Sequence, residues 1–96
     1  MRQLCSGGVI DPMEKTIYSR EYAIFLRCFV AERKRAGLTQ AQLAERIGET
    51  QSFVSKCERG ERRIDIIELR SFCKAIGVTP GEFLNRLDST LEFDSS

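Results

Sequence analysis

Between Leu38 and Arg63 the chain reads LTQAQLAERIGETQSFVSKCERGERR, and this stretch decides the fold. Two short helical patterns lie in it, separated by Gly48, Glu49 and Thr50. The first places apolar side chains at Leu43, Ala44 and Ile47, the second at Phe53, Val54 and Cys57. Spacings of three and four residues put each set on one helix face. Thr39 is suited to cap the first helix, with Gln42 three residues on to complete a capping box, and Gly48 to end it in the left-handed conformation. Thr50 then caps the second. A tight glycine-containing turn makes two such helices cross steeply over one small apolar face, which is the helix-turn-helix arrangement. Ala44 is small where the second helix has to approach closely. The arrangement projects that second helix outward, in the position from which it enters a DNA major groove.

Working outward, Ser19 reads as the cap of a long first helix. Its apolar residues Tyr22, Phe25, Leu26, Phe29 and Val30 form an i, i+3, i+4, i+7, i+8 stripe, the mark of a core-facing helix. Arg33, Lys34 and Arg35 close it near its negative dipole end and Gly37 stops it; these three cations read as a solvated helix end. Residues 1–18 contain a Gly-Gly pair, a proline and no periodicity, and are expected to form a flexible N-terminal arm, with Arg2 and Lys15 as its cations. Downstream of Gly60 a polar loop leads to Asp65, which caps a fourth helix with Glu68 as its box partner. That helix carries the stripe Ile66, Leu69, Phe72, Cys73 and Ile76, and Gly77 ends it. Thr79-Pro80-Gly81-Glu82 reads as cap, first-turn proline and box acid of a fifth helix bearing Phe83, Leu84 and Leu87. Residues 88–96 read as an acidic C-terminal tail with two stray apolar residues, Leu91 and Phe93. The fold class is therefore all-α: a compact five-helix bundle with the helix-turn-helix inside one domain, residues 19–87. A chain of 96 residues has material for one core and not for two.

The segment resembles the Cro/phage-repressor type of helix-turn-helix, the XRE family. The matching features are Thr39-Gln40 opening the second helix, Leu43-Ala44 within it, Gly48 at the turn and Gln51 through Gly60 in the recognition-helix position. More loosely, the resemblance extends from about Ser19 to Leu87. It implies a lambda-repressor-like DNA-binding domain, base contacts from Gln51, Ser52 and Lys56, and a backbone clamp from Gln40.

The charge pattern agrees with a DNA partner better than the total does. Net charge is only +1, yet from Arg27 to Arg63 nine Lys/Arg stand against five Asp/Glu, while from Gly81 to Ser96 four acids stand against one arginine. One face is thus suited to phosphates, and the acidic end is repelled by them. The four cysteines, Cys5, Cys28, Cys57 and Cys73, show no C-x-x-C spacing and the chain has no histidine, so neither a metal site nor a cofactor is expected. The cysteines within helical patterns read as small buried hydrophobes in the reduced state. Val9-Ile10 is too short for the apolar core of a secretory signal and no membrane-spanning run occurs, so the expected location is the cytoplasm.

Helical spacing alone sends Val54 and Cys57 to the core, which points Gln51, Ser52, Ser55, Lys56 and Arg59 away from it. Gln51 is the first candidate for base reading, because its amide both donates to and accepts from an adenine edge. Lys56 suits a guanine edge or a phosphate, and Ser52 and Ser55 are short donors for either. Thr50 stands at the helix start. Arg59, Arg62 and Arg63 follow the helix and suit phosphates, with Glu58 and Glu61 close enough to pair with one of them. Phe53 has two readings: packing at the rim of the core, or meeting a thymine methyl.

The expected function is that of a sequence-specific DNA-binding transcriptional regulator, a repressor. One recognition helix spans too few base pairs to discriminate alone, so a homodimer on a pseudo-palindromic double-stranded site is expected. Phe83, Leu84, Leu87, Leu91 and Phe93 supply its apolar interface. The alternative is an antitoxin-like or other interaction module, holding a partner protein through its arm or tail. Enzyme chemistry is not expected: no imidazole base, carboxylate pair or glycine-rich phosphate loop is present.

Overall fold

The computed structural model describes the backbone of residues 12–95 and the side chains of residues 20–93. Five helices follow one another: α1 Pro12–Arg35, α2 Gln40–Ile47, α3 Gln51–Glu58, α4 Ile66–Ile76 and α5 Pro80–Ser95. No strand occurs among the described residues, so the all-α, five-helix expectation holds.

Their ends are set by local chemistry. Thr39 Oγ1 accepts from Gln42 N at 3.1 Å while Gln42 Oε1 accepts from Thr39 N at 2.9 Å, the reciprocal box that starts α2. Asp65 with Glu68 and Thr79 with Glu82 repeat the device at α4 and α5. Thr50 Oγ1 accepts from Phe53 N at 3.1 Å to start α3. At the other end of α2, Gly48 sits at φ 75°, a conformation that costs a side-chain-bearing residue and lets the chain reverse into α3 within three residues.

Two boundaries differ from expectation. α1 begins at Pro12, so Ser19 lies inside it and caps nothing. The physical reason is that Pro12 has its φ preset for a first turn, and no glycine or proline interrupts residues 13–18. Residues 12–18 are thus helical; the rest of the expected arm, with Arg2 and Cys5, lies outside the described residues. At the other end α5 runs on to Ser95, past the point where a tail was expected. Thr90 Oγ1 donates to Arg86 O at 2.9 Å within that extension.

The core gathers Phe29 from α1, Leu43 and Ala44 from α2, Val54 and Cys57 from α3, Leu69, Phe72, Cys73 and Ile76 from α4, and Phe83 from α5. Its rings meet edge to face, Phe29 on Phe72 at 4.8 Å and Phe25 on Phe83 at 5.7 Å, the arrangement that aligns ring edges with ring faces. Ile24 is also buried although the expected stripe omitted it, whereas Val30 of that stripe is half-exposed. Arg46 Nη1 donates to Ala75 O at 2.9 Å, so α2 places a cation on the carbonyl end of α4.

Candidate nucleic-acid interface

The helix α3 is too short to be stable alone. An eight-residue α3 has two turns, well under the length at which an isolated helix persists in water. Tertiary contacts must hold it, and they hold one side. Val54 and Cys57 are fully buried between α2 and α1. Glu58, at its last turn, accepts from Arg33 Nε at 2.6 Å and Nη2 at 3.1 Å and from Gln40 Nε2 at 2.8 Å. Arg33 is itself 7% exposed, and its Nη1 donates to the Leu38 carbonyl at 2.8 Å. One carboxylate therefore ties the end of α3 to α1 and α2 together.

The opposite side of α3 is open. Gln51, Ser52 and Lys56 are exposed and Ser55 is half-exposed. Thr50 is exposed too, with its hydroxyl oxygen engaged as the helix cap. Gln51, Ser52 and Lys56 thus present their side chains to solvent, while Ser55 is partly covered.

The other candidates are more occupied than the sequence implies. Arg59 pairs with Glu61 through Nε at 2.8 Å and Nη2 at 3.2 Å, and its Nη1 donates to Ser55 Oγ. That pairing holds the Glu61 carboxyl below its usual range and raises the arginine. Arg62 is paired with Glu68 at 2.7 Å, and its guanidinium lies 4.7 Å from the Phe53 ring centroid. Arg63 lies over the Tyr22 ring at 4.3 Å, while the Tyr22 hydroxyl accepts from Ile64 N. Phe53 is half-buried and stacks on Phe72 with 19° between the ring planes, so of its two readings the structure places it at the rim of the core. Gln40, expected at the DNA backbone, gives its amide N–H to Glu58.

Two corrections concern charge. The expected solvated end Arg33-Lys34-Arg35 is split: Lys34 and Arg35 are exposed, but Arg33 is in the interior. Sequence reasoning also missed Glu32, which is 5% exposed and accepts from Arg86 at 2.7 Å and Arg35 at 2.8 Å. Burial disfavours the Glu32 charge, yet the hydrogen bonds from Arg86 and Arg35 outweigh it and hold the carboxyl below its usual range.

The five apolar residues expected at a dimer surface also part company. Phe83 is 1% exposed and belongs to the protein's own core, which removes it from any interface with a partner. Leu84 and Leu91 share one flank of α5, with half-buried Leu87 at its edge, beside a shallow groove that Gly81, Asn85 and Asp88 complete. Phe93, 85% exposed, falls on the opposite side of the helix at 100° per residue. Among the described residues no group of histidine, cysteine or carboxylates has the arrangement of a metal site, and no helix is long and apolar enough to cross a membrane.

A capped helix pair joined at a left-handed glycine, anchored on one face and bare on the other, defines a helix-turn-helix DNA-binding module. The family model described as Helix-turn-helix matches residues 31–83, and the chain belongs to that family, as a regulator of the XRE type. It is 36% identical over 62 residues to the uncharacterized HTH-type transcriptional regulator y4dJ of Sinorhizobium fredii, a match over 65% of this chain and 80% of that protein. An XRE-family like protein from Pseudomonas syringae pv. tomato superposes with a TM-score of 0.76 at 42% identity, over 83% of this chain and 98% of that one.

Proposed function

We propose that this chain is a repressor that binds pseudo-palindromic double-stranded DNA as a homodimer, with α3 in the major groove of each half-site. The observation that carries this reading is the division of α3: Val54, Cys57 and Glu58 are tied inward while Gln51, Ser52 and Lys56 are left to solvent. Gln51 and Ser52 lie in the first turn, the part of a recognition helix that reaches base edges, and Lys56 follows one turn on. Arg59, held by Glu61 at the end of the helix, and Arg63 in the loop after it serve phosphates and supply affinity. The nearby acids do not forbid this, because an exposed ion pair is weak enough to be exchanged for a phosphate.

Dimerisation follows from the size of the reading head. Two half-sites about one DNA turn apart, roughly 34 Å, double the sequence read by eight-residue helices. The flank of α5 carrying Leu84, Leu87 and Leu91 suits a second copy, since an isologous pair sets the same apolar stripe against itself.

The test is selection of bound duplexes from a random pool, followed by the mass of the free protein at micromolar concentration. A two-fold symmetric site and a dimer mass are expected. An enriched site without symmetry, bound by a strict monomer, overturns the dimeric arrangement. No enrichment at all overturns the regulator reading.

A further inference from the structure

Arg62 is the residue whose surroundings differ most from the role its position suggests. It lies in the loop after the recognition helix, where an arginine ordinarily reaches for phosphate. Here its donors are already engaged by the chain's own groups. Nη1 donates to Glu68 Oε1 at 2.9 Å and to the Arg63 carbonyl at 3.1 Å, and Nη2 stands 2.7 Å from Glu68 Oε2. The flat face of the guanidinium covers the Phe53 ring.

These partners belong to two helices. Phe53 is in α3, at its first turn. Glu68 is in α4, where its Oε1 also accepts from Asp65 N at 3.0 Å as half of the capping box. Phe53 in turn stacks on Phe72 of α4. One side chain thus bridges the reading helix to the capped start of its neighbour, beside Gln51 and Ser52.

We propose that Arg62 is a positioning residue of the DNA interface: by pinning Phe53 to the capped end of α4, it fixes the angle at which Gln51 and Ser52 are presented, and it does not itself contact phosphate. This rests on the regulator reading above. The guanidinium fork is what the role requires, because only a planar group both stacks on a ring and grips a carboxylate with two donors.

The experiment uses the full chain with Arg62→Lys, Arg62→Gln and Glu68→Gln, and Lys56→Ala as the reference for a groove contact. Each is titrated against the selected duplex and a scrambled one over a range of salt, with a melting curve to confirm folding. Arg62→Gln is expected to weaken the selected duplex about tenfold, the size of one base contact, and to leave scrambled-duplex affinity and salt slope unchanged. Lysine, which keeps the charge but not the fork, is expected not to rescue it. Glu68→Gln leaves Arg62 in place and is expected to weaken selected binding in the same way, so the proposal stays testable even where Arg62 variants fold poorly. A slope reduced by about 0.9 with equal loss on both duplexes, or rescue by lysine, identifies a phosphate contact and overturns the proposal. So does unchanged selected binding in Glu68→Gln. Failure of the unaltered chain to bind any duplex with salt dependence is a separate result: it removes the regulator reading, and this proposal with it.

Discussion

Arg33 Nε donates to Glu58 Oε2 at 2.6 Å across a sequence separation of 25 residues, with both side chains less than a tenth exposed. This bond joins the last turn of α1 to the end of α3. Taking either partner away strands a buried charge, so Glu58→Ala and Arg33→Ala are each expected to cost about 3–5 kcal/mol in urea unfolding. Replacing both with apolar residues of similar size, Arg33→Met with Glu58→Leu, is expected to recover most of that loss. A cost under about 1 kcal/mol for Glu58→Ala would contradict the burial of the pair.

The exposed face of α3 leads to the opposite pattern. Gln51→Ala and Lys56→Ala are expected to leave the urea midpoint nearly unchanged and to weaken the preferred duplex by about 1–3 kcal/mol each. Fluorescence anisotropy at several salt concentrations checks this, since loss of a phosphate contact lowers the slope of log K against log salt by about 0.9, and loss of a base contact does not.

Acid stability is set partly by Glu32. Its folded-state carboxyl lies below the ordinary glutamate range, so it stabilises the fold above its unfolded pKa. That contribution is lost as the pH falls from about 4.5 through the lowered folded value. Thermal melts between neutral pH and pH 3 are expected to show a lower midpoint for Glu32→Gln at neutrality and a convergence of the two proteins in acid. Parallel curves throughout would remove Glu32 from the acid transition. Exposed Glu61 and half-exposed Glu68 shift in the same direction, and added salt screens them.

Thiol reactivity provides a check on packing. Burial pushes the Cys57 thiol up, against the opposing charge of the Arg62 guanidinium, and burial pushes Cys73 up likewise. Both are therefore neutral as well as inaccessible near pH 8. Iodoacetamide labelling read by peptide mass is expected to modify half-exposed Cys28 in the native protein and to reach Cys57 and Cys73 only in denaturant.

What the sequence revealed was whatever is decided within about four residues. The boxes at Thr39–Gln42, Asp65–Glu68 and Thr79–Glu82, and the left-handed glycines that end α2 and α4, are local hydrogen-bond and torsional problems, and their solutions can be read in order along the chain. Arg33 and Glu32 were illegible for the converse reason. Each looks like a surface charge until Glu58 and Arg86 arrive from 25 and 54 residues away. Phe83 looks like surplus apolar surface until Phe25 closes on it. The exposure of Gln51, Ser52 and Lys56 was legible because it depends on no partner: once Val54 and Cys57 were assigned inward, helical spacing placed these three outward, whereas the specific pairing of Arg59 with Glu61 and Ser55 was not read.

The tie between Glu58, Arg33 and Gln40 fastens α3 by a residue that takes no part in its outward face. The side chains that anchor this helix and those it leaves to solvent are different ones, so exchanges at Gln51, Ser52 and Lys56 are expected to leave the melting temperature where it was.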